Sequence, residues 1–148
     1  MIDINQIKQL RQETSVSIIE CKKALEEAKG DLEKAKEILR KRGGEFAEKK
    51  AERGAKTGII ASYIHQNKKI GVLLDIRCES DFVAESADFQ NLAHEICLQI
   101  AAMNPKKTSL LSQAWIKDET KTIKDLIDEY ITKIGENIVI KKFVRYEI

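Results

Sequence analysis

The sequence of 148 residues is poor in proline, histidine and cysteine. It has one proline, two histidines and three cysteines. Neither His65 nor His94 has a carboxylate or thiol at a spacing that would complete a metal site or a catalytic triad. The cysteines show no CxxC spacing and occupy apolar-phase positions, which predicts free, buried thiols. The sequence therefore predicts no metal, no catalytic residue and no disulfide framework.

Long apolar runs and phosphate-binding loops are also missing. No window approaches the roughly 20 apolar residues that cross a bilayer, and the start, MIDINQIKQL, lacks the order of a signal peptide. There is no G-x-x-x-x-G-K-[ST] loop and no glycine-rich turn between a strand and a helix. We therefore expect a cytoplasmic protein that has no cofactor and does not itself bind nucleotide or membrane.

Charge of one sign is not concentrated anywhere in the chain. Lys and Arg number 26 against 24 Asp and Glu, and the net charge of +2 is spread along the sequence, which disfavours nucleic acid as a partner. Asp75 and Glu79 share one face of a predicted strand, but nothing indicates the desolvation that acid–base chemistry requires. These observations predict a protein that is not an enzyme.

What the sequence does contain is clear periodicity, beginning with three short helices in residues 1–43. Each predicted helix has a residue that can cap its first turn: Asp3, Ser17 and Asp31. Gly30 can end the second helix in the left-handed conformation, and Gly43-Gly44 is predicted to end the third. About 40 residues bury too little surface to be very stable alone. We therefore expect the outer face of this module to dock a partner. Residues 44–57, mostly charged, are predicted to form a helical linker.

From residue 58 the apolar period changes from helical to alternating, which predicts a different kind of domain in 58–148. The runs GIIASYIH and KIGVLLDIRCE flank a turn and predict a β-hairpin with one covered face. Amphipathic patterns predict a helix over 87–103 and a second helix that ends at Gly135, with irregular chain at 106–119 between them. NIVIKKFVRYEI predicts a last strand. The fold class is α+β: a small antiparallel three-stranded sheet covered by helices on one face.

The stretch CESDFVAES, residues 78–86, lies between the predicted hairpin and the helix and places Asp81 beside Phe82. Spacing alone favours an ordinary interpretation, in which Phe82 packs into the local core and Asp81 caps a turn. The alternative is that the ring points outward to a partner.

Four segments together resemble bacterial elongation factor Ts in its short form with a single core. They are LRQETSVSIIECKKALEEAKGDLEKAKEILRKRG (10–43), GIIASYIHQNKKIGVLLDIRCESDFVAES (58–86), FQNLAHEI (89–96) and KIGENIVIKKF (133–143). The resemblance implies a guanine-nucleotide exchange factor that binds elongation factor Tu carrying GDP, displaces Mg²⁺ and promotes GDP release so that GTP can bind.

The resemblance also implies roles for particular residues. Ser80-Asp81-Phe82-Val83 resembles the family's T-D-F-V motif, which intrudes beside the magnesium and phosphate region of elongation factor Tu. Phe82 would enter an apolar crevice of that partner, and Asp81 would contact its nucleotide-binding domain nearby.

Residues 1–43 resemble the family's ubiquitin-associated-like (UBA-like) domain, which docks on a helix of the same partner domain. This makes four residues candidate contacts: Lys8, Arg11, Ile18 and Ile19. Residues 58–148 resemble the core that grips a second region of elongation factor Tu. Because the chain has a single core, we expect a homodimer across the sheets, which would allow a 2:2 complex with elongation factor Tu.

The sequence departs from the family pattern in three places. Thr14-Ser15-Val16-Ser17 stands where the family commonly has T-G-A-G, Ser80 replaces threonine, and the chain between Pro105 and Thr120 is shorter than in longer relatives. Two other functions stay open at this stage. One is a helix-docking adaptor built on residues 1–43; the other is an enzyme that uses Cys21 or Cys78 as its nucleophile.

Overall fold

The computed structural model describes residues 2–148 and has the predicted α+β composition. The chain divides into two compact units, Met1–Phe46 and Ala47–Ile148. Within residues 2–148 no helix has both the length and the apolar character that spanning a bilayer would need. The boundaries proposed above for module, linker and core stay predictions.

Three helices form the N-terminal part, and their first turns are capped as predicted. They are α1 (Ile4–Thr14), α2 (Ile18–Glu27) and α3 (Leu32–Lys50). The capping side chains of Asp3, Ser17 and Asp31 accept hydrogen bonds from backbone N–H groups two or three residues later. Their buried side chains make one small core: Leu10, Cys21, Ala24, Leu25, Ala28, Ala35 and Leu39.

The prediction that Gly43-Gly44 ends the third helix is wrong, because α3 continues through both glycines to Lys50. A glycine inside a helix costs about 1 kcal/mol relative to alanine, and neither glycine has a positive φ. The residues that follow, EFAEKK, are mostly good helix formers, and Ala47 is buried. Helix propensity on both sides thus outweighs the cost of the glycine pair.

The second unit contains the predicted hairpin, two helices and last strand in the predicted order, together with one short helix and two short strands that were not predicted. They are β1 (Thr57–Ile64), β2 (Ile70–Cys78), α4 (Asp81–Ala84), α5 (Ala87–Met103), β3 (Ala114–Trp115), β4 (Asp118–Thr122), α6 (Ile123–Ile134) and β5 (Val139–Glu147). Strands β1, β2 and β5 form an antiparallel sheet with β2 in the centre. Strands β3 and β4 pair separately.

One face of the three-stranded sheet is buried, as the alternation in β2 predicts. Val72, Leu74, Ile76 and Cys78 are buried there. Helix α5 has the predicted bounds and buries a matching stripe: Phe89, Leu92, Ala93, Ile96, Cys97 and Ile100. Burying each large side chain contributes about 1.5–3 kcal/mol, so this layer is the main core of the unit. Helix α6 ends at Gly135, whose φ is 85°, as predicted.

The expectation of irregular chain at 106–119 is wrong in part. Leu110–Ser112 forms a turn of 3-10 helix, and β3 and β4 follow. The buried amide of Gln99 holds this region to α5, because it donates to the Ala114 carbonyl at 3.0 Å and accepts from Ile116 N–H at 2.9 Å. The β4 segment DETKT has no apolar alternation, so its sequence carried no strand signal.

Candidate partner-binding site

The stretch between β2 and α5 is a sharp connection in which two serines cap two successive helices. Ser80 caps the four-residue helix α4, since its hydroxyl accepts from Val83 N–H at 3.3 Å. Ser86 caps α5 and accepts from Phe89 N–H at 3.2 Å. This capping chemistry explains why the chain leaves the strand and turns at these residues.

Helix α4 presents Phe82 to the surface and packs its other side into the protein. Phe82 is 85% exposed, whereas its neighbours Val83 and Ala84 are buried. The interpretation that places Phe82 in the local core is therefore wrong. Asp81 does not cap the turn with its side chain; its carboxylate accepts a hydrogen bond from the Thr57 hydroxyl.

Glu136 follows α6 and binds the start of this turn, a role that was not predicted from the sequence. One carboxylate oxygen accepts from the backbone N–H groups of Glu79 and Ser80, at 3.0 Å each. The other accepts from the Ser80 hydroxyl at 2.7 Å. The only signal in the sequence was that Glu136 lies in the segment KIGENIVIKKF that carries the family resemblance.

In a second set of contacts the acceptor is on the turn, at Glu79, and the donor follows α6, at Asn137. The Glu79 carboxylate accepts from Asn137 N–H at 2.6 Å and pairs with Arg53 Nε at 2.7 Å. The buried Asn137 side chain donates to the Arg53 carbonyl at 2.7 Å. The turn that carries Phe82 is therefore fastened to the end of α6 through both Glu79 and Glu136.

The four candidate contacts of the N-terminal module are exposed, and they form one cationic and one apolar group. Lys8 and Arg11 line a shallow depression on α1, together with Gln12 and Ser15. Ile18 and Ile19 lie on the first turn of α2, and both side chains are more than half exposed.

Ser15 stands where the family commonly has its first turn glycine. Its φ is 58°, and its N–H donates to the Arg11 carbonyl at 2.8 Å. This is the left-handed conformation that glycine adopts most readily. The left-handed turn between α1 and α2 is therefore present without the glycine.

The sheet face opposite α5 carries exposed apolar side chains. They are Ile60, Ile64, Leu73, Val144 and Tyr146. Asp75 lies among them and is bound by Arg77 through two hydrogen bonds of 2.6 and 3.0 Å. The Arg77 guanidinium lowers the pKa of the Asp75 carboxyl below its ordinary value. This face combines apolar surface with the Asp75–Arg77 ion pair and with Lys142, which lies opposite Asp75 on β5.

The three cysteines are free and buried. Burial raises the pKa of Cys21 and Cys78, and raises the pKa of Cys97 to about 11. Both histidines lie near Tyr63, whose hydroxyl is 2.8 Å from His65 Nδ1. No group of three potential metal ligands occurs within residues 2–148.

Comparison with known proteins gives one family over nearly the whole length of the chain. The family model described as "Elongation factor TS" matches residues 4–107 and 79–148. The chain is 42% identical over 191 aligned positions to elongation factor Ts of Thermotoga maritima, covering 99% of this chain and 96% of that protein. It is 41% identical over 193 positions to elongation factor Ts of Coprothermobacter proteolyticus, covering 99% and 98%. The alignments are longer than the 148-residue chain, so these relatives have residues that it lacks.

Proposed function

The chain belongs to the elongation factor Ts family of translation elongation factors, and we propose that it is a guanine-nucleotide exchange factor. In this proposal it binds elongation factor Tu carrying GDP, displaces Mg²⁺ and promotes GDP release so that GTP can bind. The observation that carries the proposal is the exposure of Phe82, 85%, on a turn whose next two residues, Val83 and Ala84, are buried. A large apolar ring held out in water at a braced turn is typical of a contact residue.

An exchange factor needs no catalytic side chain. It has only to bind the nucleotide-free partner more tightly than the nucleotide-bound one. Reciprocal linkage then weakens nucleotide binding by the same factor. Phe82 would fill an apolar crevice in the opened partner while Ser80, Asp81 and Val83 hold it beside the metal. Displacing Mg²⁺ removes the largest local positive charge from the diphosphate.

The Phe82 ring can supply only part of the weakening of nucleotide binding. Burying one phenyl group contributes about 1.5–3 kcal/mol, which is one to two factors of ten in nucleotide affinity. The rest must come from other contacts, and we assign them to the N-terminal module and the core. Ile18 and Ile19 offer apolar area, and Lys8 and Arg11 offer positive charge to a helix of the partner's nucleotide-binding domain.

The direct test is release of fluorescent GDP from elongation factor Tu with and without the chain. An exchange factor accelerates release in proportion to its concentration until the partner is saturated. The adaptor alternative, built on residues 1–43, predicts binding without faster release. Binding without acceleration would therefore replace the proposal with the adaptor.

The enzyme alternative makes a separate prediction about the thiols. Burial raises the pKa of Cys21 and Cys78, so less thiolate is present at pH 8 than in an exposed cysteine. We expect a thiol reagent at pH 8 to label the folded chain at least about tenfold more slowly than the chain unfolded in urea. A Ser112→Cys variant supplies an exposed thiol as the control. Labelling of Cys21 or Cys78 as fast as that control would favour a nucleophilic cysteine.

We also propose that the chain forms a homodimer through the open face of the sheet. Exposed apolar side chains of all three strands lie on this face, and a two-fold axis would bring the same patch of two copies together. Each copy would keep its own Phe82 turn, so the dimer could bind two molecules of elongation factor Tu.

Light scattering tests the dimer. The wild-type chain should have about twice its monomer mass of 16.8 kDa, and Leu73→Lys should give a monomer because it places a charge in the centre of the apolar face. Leu111→Lys is the control, since Leu111 is equally an exposed apolar residue but lies outside the sheet. A wild-type monomer at working concentration would contradict the dimer.

A further inference from the structure

We infer that Glu136 is a positioning residue for Phe82. Its carboxylate fixes the residues from which α4 begins and thereby the direction in which the ring leaves the fold. The inference rests on the proposed function, in which that ring enters a partner. Glu136 lies 54 positions after Phe82 in the sequence, and helices α5 and α6 come between the two residues.

Phe82 cannot fix its own direction. Helix α4 has four residues, and a single helical turn is unfavourable by itself because it fixes several dihedral angles for one backbone hydrogen bond. The ring is too exposed to anchor the turn through packing. Val83 and Ala84 hold the far side of the turn in the core, so its near side must be held by what binds residues 79–81.

Where the sheet stops, Glu136 supplies this hold together with Thr57, which binds Asp81, and Asn137, which binds Glu79. The pairing of β2 with β1 ends at Cys78 opposite Thr57, so the next two N–H groups lie beyond the β1 ladder. The Glu136 carboxylate accepts from both, and also from the hydroxyl that caps α4. Hydrogen bonds to a charged acceptor are roughly twice as strong as neutral ones. One side chain therefore satisfies the backbone at the start of the turn and orients its cap.

Glu136 is itself held in place, which makes it able to position other groups. Gly135 ends α6 in the left-handed conformation, and its N–H donates to the Ile131 carbonyl at 2.7 Å. On the other side, Asn137 is buried and is bound through its backbone to Glu79 and through its side chain to the Arg53 carbonyl. The backbone of Glu136 is therefore held on both sides.

The geometry distinguishes two substitutions at this position. Glu136→Ala removes every acceptor and leaves the two N–H groups to water. Glu136→Gln keeps one oxygen for both N–H groups, and its NH₂ can donate to the Ser80 hydroxyl. Glutamine should therefore rescue most of what alanine loses.

The first test needs no partner. In the isolated protein, Glu136→Ala should speed amide hydrogen exchange at Glu79 and Ser80 about tenfold or more, and exchange in α5 less than about twofold. Glu119→Ala, which removes an exposed carboxylate elsewhere, is the control for charge. Unchanged exchange at both amides, or an equal rise throughout α5, would overturn the inference that Glu136 positions this turn.

The second test asks whether Glu136 acts through Phe82, using GDP release at saturating concentrations of five proteins: wild type, Glu136→Ala, Glu136→Gln, Phe82→Ala and the double variant Glu136→Ala/Phe82→Ala. We expect Glu136→Ala to slow release about three- to tenfold, Glu136→Gln to stay within about twofold of wild type, and the double variant to match Phe82→Ala. If the double variant instead slows GDP release by the product of the two single effects, the positioning role is overturned. If GDP is released at the wild-type rate with Phe82→Ala, the proposed function fails. Hydrogen exchange alone then decides whether Glu136 holds the turn.

Discussion

Replacing Phe82 with alanine should slow GDP release from elongation factor Tu by about ten- to a hundredfold at a given concentration of the chain. The reason is that the variant loses the apolar contact proposed to form only when the partner has opened. The folded chain should be unaffected, because the ring is 85% exposed and contributes little to the core. Stopped-flow measurement with fluorescent GDP gives the rates, and thermal unfolding gives the stability.

A matched control separates this effect from a general loss of apolar surface. Leu111→Ala also removes an exposed apolar side chain from the second unit, but outside the proposed contact surfaces. Its release rate should stay within about twofold of wild type. Equal rates of GDP release with Phe82→Ala and wild type would show that the ring does not contribute to exchange.

Replacing Gly58 with alanine should destabilise the second unit by about 2–4 kcal/mol. Gly58 pairs with Arg77 in the hairpin, and an added Cβ would lie 2.0 Å from the Ile76 carbonyl oxygen and 2.7 Å from Arg77 Cα. Both are backbone atoms, so the clash cannot be relieved by a side-chain rotation. Strand β1 would have to move away from β2. Urea unfolding measures the loss directly.

The same substitution should disturb the candidate site, because the neighbouring residue Thr57 donates its hydroxyl to Asp81. Gly44→Ala is the matched control in α3. No atom lies within 4 Å of the Cβ it would add, and alanine in a helix interior is better than glycine by about 0.5–1 kcal/mol. It should therefore stabilise the protein slightly. A Gly58→Ala variant that unfolds at the wild-type urea concentration would contradict the packing described for the hairpin.

The helices and the main sheet could be predicted because their signals are local. Ser17 and Gly135 carry capping and termination chemistry at the residues concerned, and the alternation within β2 is enough to define its buried face. The resemblance to elongation factor Ts, which the family model and the relatives confirm, likewise rests on short segments that can be read one at a time.

The rest depends on contacts between distant residues. Glu136 lies 56 positions from Ser80, and nothing in its own neighbourhood indicates that it would bind that turn. The exposure of Phe82 has the same origin. Its spacing resembles that of a core residue, and only the burial of Val83 and Ala84 decides which side of α4 faces outward. The continuation of α3 through two glycines depends on the balance of propensities over a whole helix.

The central claim is that Phe82 acts by displacing the metal that holds GDP. It is tested most directly by comparing GDP release with wild type and Phe82→Ala, first with Mg²⁺ and then with the metal chelated. We predict that the advantage of the wild type, about ten- to a hundredfold with Mg²⁺, becomes smaller when the metal is absent, because only the apolar contact with the opened partner then remains. An advantage of the same size under both conditions would show that the ring does not act on the metal.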